Sequence, residues 1–350
     1  MRSIKLKTLF QIVKNNLSFG KYSPDACHER LLREKYPLYA YDKVGKDPDF
    51  KGLIEKAFFD ALGDMPDDFE PICREESRVD KGDHIRIRMI IETEPNVECP
   101  CLLLLPKGRP NPPVVICLQG HSNGMMISVG EPYERRDLKK ISEDRDFALQ
   151  AIKHGYAAMV VEQRGFGERR SRLRECMCTF LAENALLVGR TLIGERIWDV
   201  KQVINVLEKR SDVDAKRIGI MGNSGGGTAS YYAACVDKRI KVVMPGCAIC
   251  TYKDSIGKEF HCPCNFLPSA GKYFDMGELA CLIYPRPIVV VSGKRDPIFP
   301  IEGAEKVVNV MKEIYGDKKE NVSHFIGNGK HRFYAGGWDK FDEYMNEIKE

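Results

Sequence analysis

No apolar run in the 350 residues approaches the roughly 18 needed to cross a bilayer, and the longest, Pro113–Leu118 and 287–291, have the length of buried strands. A strong charge imbalance is also missing. With 54 Lys and Arg against 50 Asp and Glu the net charge is +4, too slight for a protein that tracks phosphates, so neither a nucleic-acid nor a membrane partner is expected. There is no Walker sequence, and Gly165-x-Gly167 lacks the third spaced glycine of a dinucleotide fingerprint. No internal repeat or low-complexity linker occurs. The basic stretch 1–19 is broken by Lys14, Asn15 and Asn16 before any signal-like core forms, so a cytoplasmic location is expected.

Cysteine, by contrast, is plentiful. Thirteen is an odd number that cannot all pair within one chain, and without an export signal reduced thiols are the simpler reading. Hydrophobic residues at 43% and charged residues at 30% describe a globular chain with ample core, which excludes a disordered or fibrous protein. The length suits one large domain with an extension, or two modest domains.

Residues 1–80 read as a helical extension packed on the core, with helices over 24–35 and 49–62. From 81 to 350 the pattern changes. Paired strands are expected over 84–94 and 97–106, and short buried runs over 113–118, 157–161, 217–221, 241–244 and 287–291, with a last strand over 322–326. Helical segments fall between them, over 141–154, 193–208, 228–234 and 303–314, and a closing helix over 338–349. Strands alternating with helices imply an α/β protein, a mostly parallel central sheet with helices on both faces. The stretch 247–282 has little periodicity and reads as an insertion that decorates the sheet.

Within this frame one segment carries chemistry. A buried strand runs into Gly222-Asn223-Ser224-Gly225-Gly226 and then a helix, so the glycines permit a sharp turn that lifts Ser224 above the sheet. Gly222 and Gly226 leave room for the strand-to-helix approach, and the Gly225 amide is free to stabilise an oxyanion. A nucleophilic serine needs a base and an orienting acid. Asp296 follows the strand 287–291 and His331 the last strand, both where catalytic groups collect at strand ends. Of the other histidines after Ser224, His324 lies inside a strand and His261 precedes the proposed acid. Asp254 and Asp275 sit in the insertion, and Asp317 in a surface turn. After strand 113–118 comes Gln119-Gly120-His121-Ser122-Asn123-Gly124, whose turn can aim the His121 backbone amide at the same oxyanion.

These pieces, with Arg164-Gly165-Phe166-Gly167-Glu168, Pro285-Arg286-Pro287, the stretch 292–297 and Lys330-His331-Arg332-Phe333, resemble the α/β-hydrolases. The likeness is to the branch of acetyl xylan esterases, cephalosporin C deacetylases and dienelactone-hydrolase-like proteins, and runs from about Ile85 to the C-terminus. It implies the α/β-hydrolase fold, a Ser-His-Asp triad and no cofactor. The leading substrate it implies is a short acyl ester, with an acetylated oligosaccharide as the partner molecule. Gln119 departs from the histidine that many relatives carry. Arg164 takes, by the same resemblance, an ion-pairing role.

The remaining signals read plainly. Cys99-x-Cys101, Cys176-x-Cys178, Cys247-x-x-Cys250 and His261-Cys262-Pro263-Cys264 are read as buried free thiols, and no metal is expected. Arg169, Arg170, Arg172 and Arg174 read as a solvated face, which would favour an acidic substrate such as a uronate ester if it rimmed a pocket. The expected activity is that of a serine esterase. A peptidase, a lactone or uronate-ester hydrolase, and a non-catalytic binding protein of the same fold stay open, as does a homo-oligomer.

Overall fold

The structure, a computed structural model, describes residues 24–171 and 178–348. Arg172, Arg174, Cys176 and the basic stretch 1–19 lie outside them. Nine strands form one sheet: β1 (Ile72–Asp80), β2 (His84–Glu94), β3 (Val97–Pro106), β4 (Pro113–Leu118), β5 (Ala157–Val161), β6 (Asp214–Asn223), β7 (Ile240–Gly246), β8 (Ile288–Gly293) and β9 (Val322–Gly327). Their order is β1-β2-β3-β5-β4-β6-β7-β8-β9. The first three are antiparallel, β3 meets β5 antiparallel, and from β5 to β9 neighbours run parallel. Seven helices matter to the argument: α1 (Phe50–Leu62), α2 (Phe147–Lys153), α3 (Thr179–Leu187), α4 (Leu192–Glu208), α5 (Gly225–Val236), α6 (Ile301–Tyr315) and α7 (Trp338–Glu347).

Strand alternation divides the core into two layers. Val114, Ile116 and Leu118 of β4 face one side, where they join residues of α1, α4, α5 and α6. Val115 and Cys117 face the other, with Phe147 of α2 and Trp338 and Phe341 of α7. A period of two in the strands thus sends successive side chains to opposite helical layers, the arrangement of an α/β sheet buried on both faces. No helix among the described residues is long and apolar enough to cross a membrane.

The structure departs from the sequence reading in three places. The extension over 1–80 is not helical to its end, because 72–80 is strand β1. All nine of its residues are exposed, so no buried face imposes an apolar alternation. Ladder bonds to β2 and ion pairs such as Arg74–Glu98 at 2.6 Å hold it, and its charges guard the open edge. The helix expected over 141–154 is broken, with Asp144 at φ 60° and a new helix starting at Phe147. Gln119 Nε2 donates to the Arg145 carbonyl at 2.7 Å, tying the break to the end of β4. Helix α3, finally, has no counterpart in the sequence reading, since its apolar residues show almost no one-sided pattern. The insertion holds only short helical turns, and it meets the N-terminal segment through backbone bonds from Leu38 and Tyr39 to Lys272 and Tyr273.

Candidate active site

Ser224 sits between β6 and α5 at φ 56°, ψ −126°, a conformation that costs a non-glycine residue strain and persists only where the surroundings enforce it. Its amide donates to Gly246 O on β7 at 2.7 Å. The close approach leaves no space for side chains: a Cβ on Gly226 would lie 2.2 Å from Leu118 O, and one on Gly222 2.4 Å from Gly226 O. The oxyanion loop is equally near, for a Cβ on Gly120 would lie 3.0 Å from Ser224 Cβ. Among the described residues, neither the Gly225 nor the His121 amide donates to a protein acceptor.

Asp296 and His331, on the loops after β8 and β9, meet. His331 Nδ1 lies 2.8 Å from Asp296 Oδ2, with the carboxylate wholly buried. The other oxygen, Oδ1, accepts from the amides of Ile298 (2.9 Å) and Phe299 (3.1 Å). Both oxygens of the acid are therefore engaged, and the imidazole is held from one side through Nδ1, with Nε2 making no hydrogen bond to the described residues. The Phe299 ring stacks on His331 at 5.8 Å and takes the edge of His261 at 5.4 Å.

Three neighbours of the Asp296–His331 pair were not among the site residues expected from sequence. Phe299 and His261 line its flank; both lie in loops without periodicity. Cys247, at φ 44°, gathers with Asp296 and His331 and donates to Arg332 O at 2.9 Å. Burial and the Asp296 charge push its thiol pKa up, so it stays a neutral donor. His324 does as its strand position suggests. It bonds Ser292 Oγ at 2.9 Å, and burial with the nearby Lys312 pushes its pKa down to about 4.

Arg169 corrects the reading of a solvated basic face. Its side chain is buried and donates to Asp199 Oδ2 at 2.6 Å, while Arg164 pairs with Asp199, Glu94 and Glu195. Arg170 remains at the surface, where it donates to Asn123 Oδ1 at 2.5 Å. Both line an open cleft of about 460 Å³ with Tyr133, Glu134, Arg136 and Glu168. The cleft begins two residues past His121 and does not include Ser224, Asp296 or His331 in its walls.

The cysteines group differently from their spacing. Cys247 and Cys250 do not join Cys262 and Cys264. Cys250 packs against Pro300, whereas Cys262 and Cys264 meet Cys178 and His121. All twelve described cysteines are free.

Residues 138–256 match the family described as acetyl xylan esterase (AXE1). The chain has the sheet order and crossover pattern of a known class. It has the α/β-hydrolase fold. The family match and its relatives make it an enzyme acting on ester bonds. The hydrolase is 29% identical over 266 residues to YtaP of Bacillus subtilis strain 168, named as a candidate hydrolase, covering 74% of this chain and 86% of that protein. A candidate acetyl xylan esterase from Bacteroides fragilis superposes with a TM-score of 0.70 at 18% identity, covering 87% of this hydrolase and 82% of that chain. A glucuronoyl esterase from Solibacter usitatus gives 0.63 at 16% identity, covering 87% and 93%.

Proposed function

We propose that this hydrolase is a serine esterase for short-chain carboxylic esters, with O-acetyl groups on carbohydrates as its leading substrates. The observation that carries the reading is the buried Asp296–His331 pair at 2.8 Å, set at the same sheet end as the strained turn of Ser224. In this mechanism Ser224 Oγ attacks the ester carbonyl as His331 Nε2 takes its proton. Asp296 holds the imidazole by Nδ1 and stabilises its charged form. The amides of Gly225 and His121, which have no protein acceptor, receive the oxyanion. The imidazolium gives its proton to the leaving alcohol; water then repeats the sequence on the acyl-enzyme and releases the acid. The family match over 138–256 supports acetate as the acyl group.

A second reading is favoured by the cleft beside the oxyanion loop. Arg136 and Arg170 would suit an anionic substrate group there, and a glucuronoyl esterase shares the fold, so a uronate ester is the rival. p-Nitrophenyl esters from acetate to octanoate, followed by acetylated and uronate-ester sugars, separate the two. Acetate cleavage that falls with chain length is expected, and Ser224→Ala should lower it by roughly 10³-fold or more while leaving the fold intact. Failure of a fluorophosphonate to label the protein at Ser224 would overturn the serine mechanism. A cytoplasmic location goes with this proposal, and recovery of the native protein in an exported fraction would sink that part alone.

A further inference from the structure

We propose that His121, Cys178, Cys262 and Cys264 form a structural zinc site. Their four ligating atoms lie within 4.8 Å of one another. Cys178 Sγ is 2.8 Å from Cys262 Sγ, 3.5 Å from Cys264 Sγ and 3.3 Å from His121 Nε2, which is also 3.3 Å from Cys264 Sγ. A tetrahedral ion with Zn–S of about 2.3 Å and Zn–N of about 2.0 Å places its ligands roughly 3.5–3.8 Å apart. The cluster is already near that scale, and of these distances only Cys178–Cys262, at 2.8 Å, falls well short of it. As bare thiols the group is hard to account for: 2.8 Å is closer than sulfur atoms pack, yet well beyond the ~2.05 Å of a disulfide.

The ligand chemistry and the surroundings agree. Three thiolates and an imidazole are a soft set that suits zinc, and four protein ligands leave no position for a reacting water, which makes the site structural. Three thiolates on a divalent ion leave one net negative charge. Beside Cys178 lies Arg196, buried at 1% exposure, whose Nη1 has no hydrogen-bond partner among the described residues. A Cβ on Gly165 would touch both, at 2.6 Å from Cys178 Cβ and 3.5 Å from Arg196 Nη2. With Nε2 on the ion, His121 must carry its proton on Nδ1. A buried acceptor without a partner, Asn265 Oδ1, approaches the same point over Gly225 as that nitrogen, at 3.3 and 3.4 Å.

The ligands come from three separate places: the loop after β4, the residue before α3, and the turn Pro263–Asn265 with the Cys262 that precedes it in the insertion. An ion here would fasten the insertion to the loop that, on the reading given above, presents the His121 amide to the oxyanion. The site therefore positions the catalytic loop and takes no part in the chemistry.

The test is metal content of the full chain, purified under reducing conditions without chelator and reconstituted anaerobically with zinc or cobalt. About one ion per chain is expected in the wild type, in Ser224→Ala and in Cys73→Ser, an exposed cysteine outside the cluster. Ser224→Ala keeps this outcome independent of whether the esterase reading holds. Cobalt should give tetrahedral d–d bands and a thiolate charge-transfer band. Cys262→Ser and Cys264→Ser should each lower occupancy roughly tenfold or more and shift those bands. Should either variant fail to fold, the cobalt spectra of wild type and Cys73→Ser still decide. A wild type that takes up no stoichiometric ion, full occupancy in both cluster variants, or a Cys178–Cys262 disulfide found by mass spectrometry of reduced-then-alkylated and directly alkylated protein would each overturn the proposal.

Discussion

One oxygen of Asp296 faces two backbone amides and the other an imidazole, so the carboxylate cannot be replaced by an amide without loss. In Asp296→Asn the Oδ1 side would still accept from Ile298 and Phe299. The amide nitrogen would then face His331 Nδ1 and could only donate, which selects the tautomer unable to take a proton from Ser224. Expected are a fall in kcat of roughly 10³–10⁴-fold, little change in KM and an unchanged urea midpoint. An equal fall in the midpoint would instead make Asp296 a structural residue. Ser224, Asp296 and His331 were legible as candidates because each follows a recognisable buried strand. The Cys178, Cys262, Cys264 and His121 cluster was not. Three chain segments meet there through a loop and an insertion without periodicity, and nothing in the spacing brings His121 and Cys178 to Cys262 and Cys264.

Between β6 and α5 the geometry tolerates no added atom at Gly226, where a Cβ would meet the carbonyl oxygens of Leu118 at 2.2 Å and Gln119 at 2.6 Å. These are strand-end backbone atoms that cannot swing aside. Gly226→Ala should therefore cost at least about 2 kcal/mol by urea denaturation and abolish turnover, since the loop that must yield also carries His121. The insertion offers a pH test. Asp275 accepts from the amides of Tyr252 and Met276 through Oδ1. Burial, followed by the neighbouring Glu278, pushes its carboxyl pKa up to about 7. The folded state thus holds this proton more tightly than the unfolded chain. Its contribution is fully present below about pH 4 and is lost as pH rises through 7. Asp275→Asn keeps the acceptor and removes the titration. Its Tm should match the wild type near pH 4 and exceed it at pH 8. A constant difference across that range would refute the assignment.

Across the whole molecule, the legible part is the parallel half of the sheet. Runs such as Val114–Ile116 and Val289–Val291, buried on both faces, announce themselves as continuous apolar stretches. The exposed edge strand β1 and helix α3 did not, because the first buries nothing and the second has no apolar stripe. An ion-pair network that also ties β2 to α4 was legible only in part, since the resemblance gives Arg164 an ion-pairing role but nothing in the sequence pointed to Asp199 or Arg169. Asp199 of α4 accepts from Thr93 of β2 at 2.7 Å, from Arg164 at 2.9 and 3.0 Å and from Arg169 at 2.6 Å. Burial acts to raise its pKa, but Arg169 and Arg164 outweigh it and hold the carboxyl well below the usual range. An acid depressed in the folded state stabilises above its unfolded pKa, about 3.9, and loses that contribution as pH falls through the folded value. Asp199→Asn strips the shared counter-charge from two buried guanidinium groups, which should cost roughly 3–5 kcal/mol at pH 7. The gap in urea midpoint from wild type should hold between pH 5 and 8 and narrow below pH 4. Because none of these groups reaches Ser224, kcat per folded molecule should not change. A variant with normal stability and lowered kcat would place the network in the active site instead.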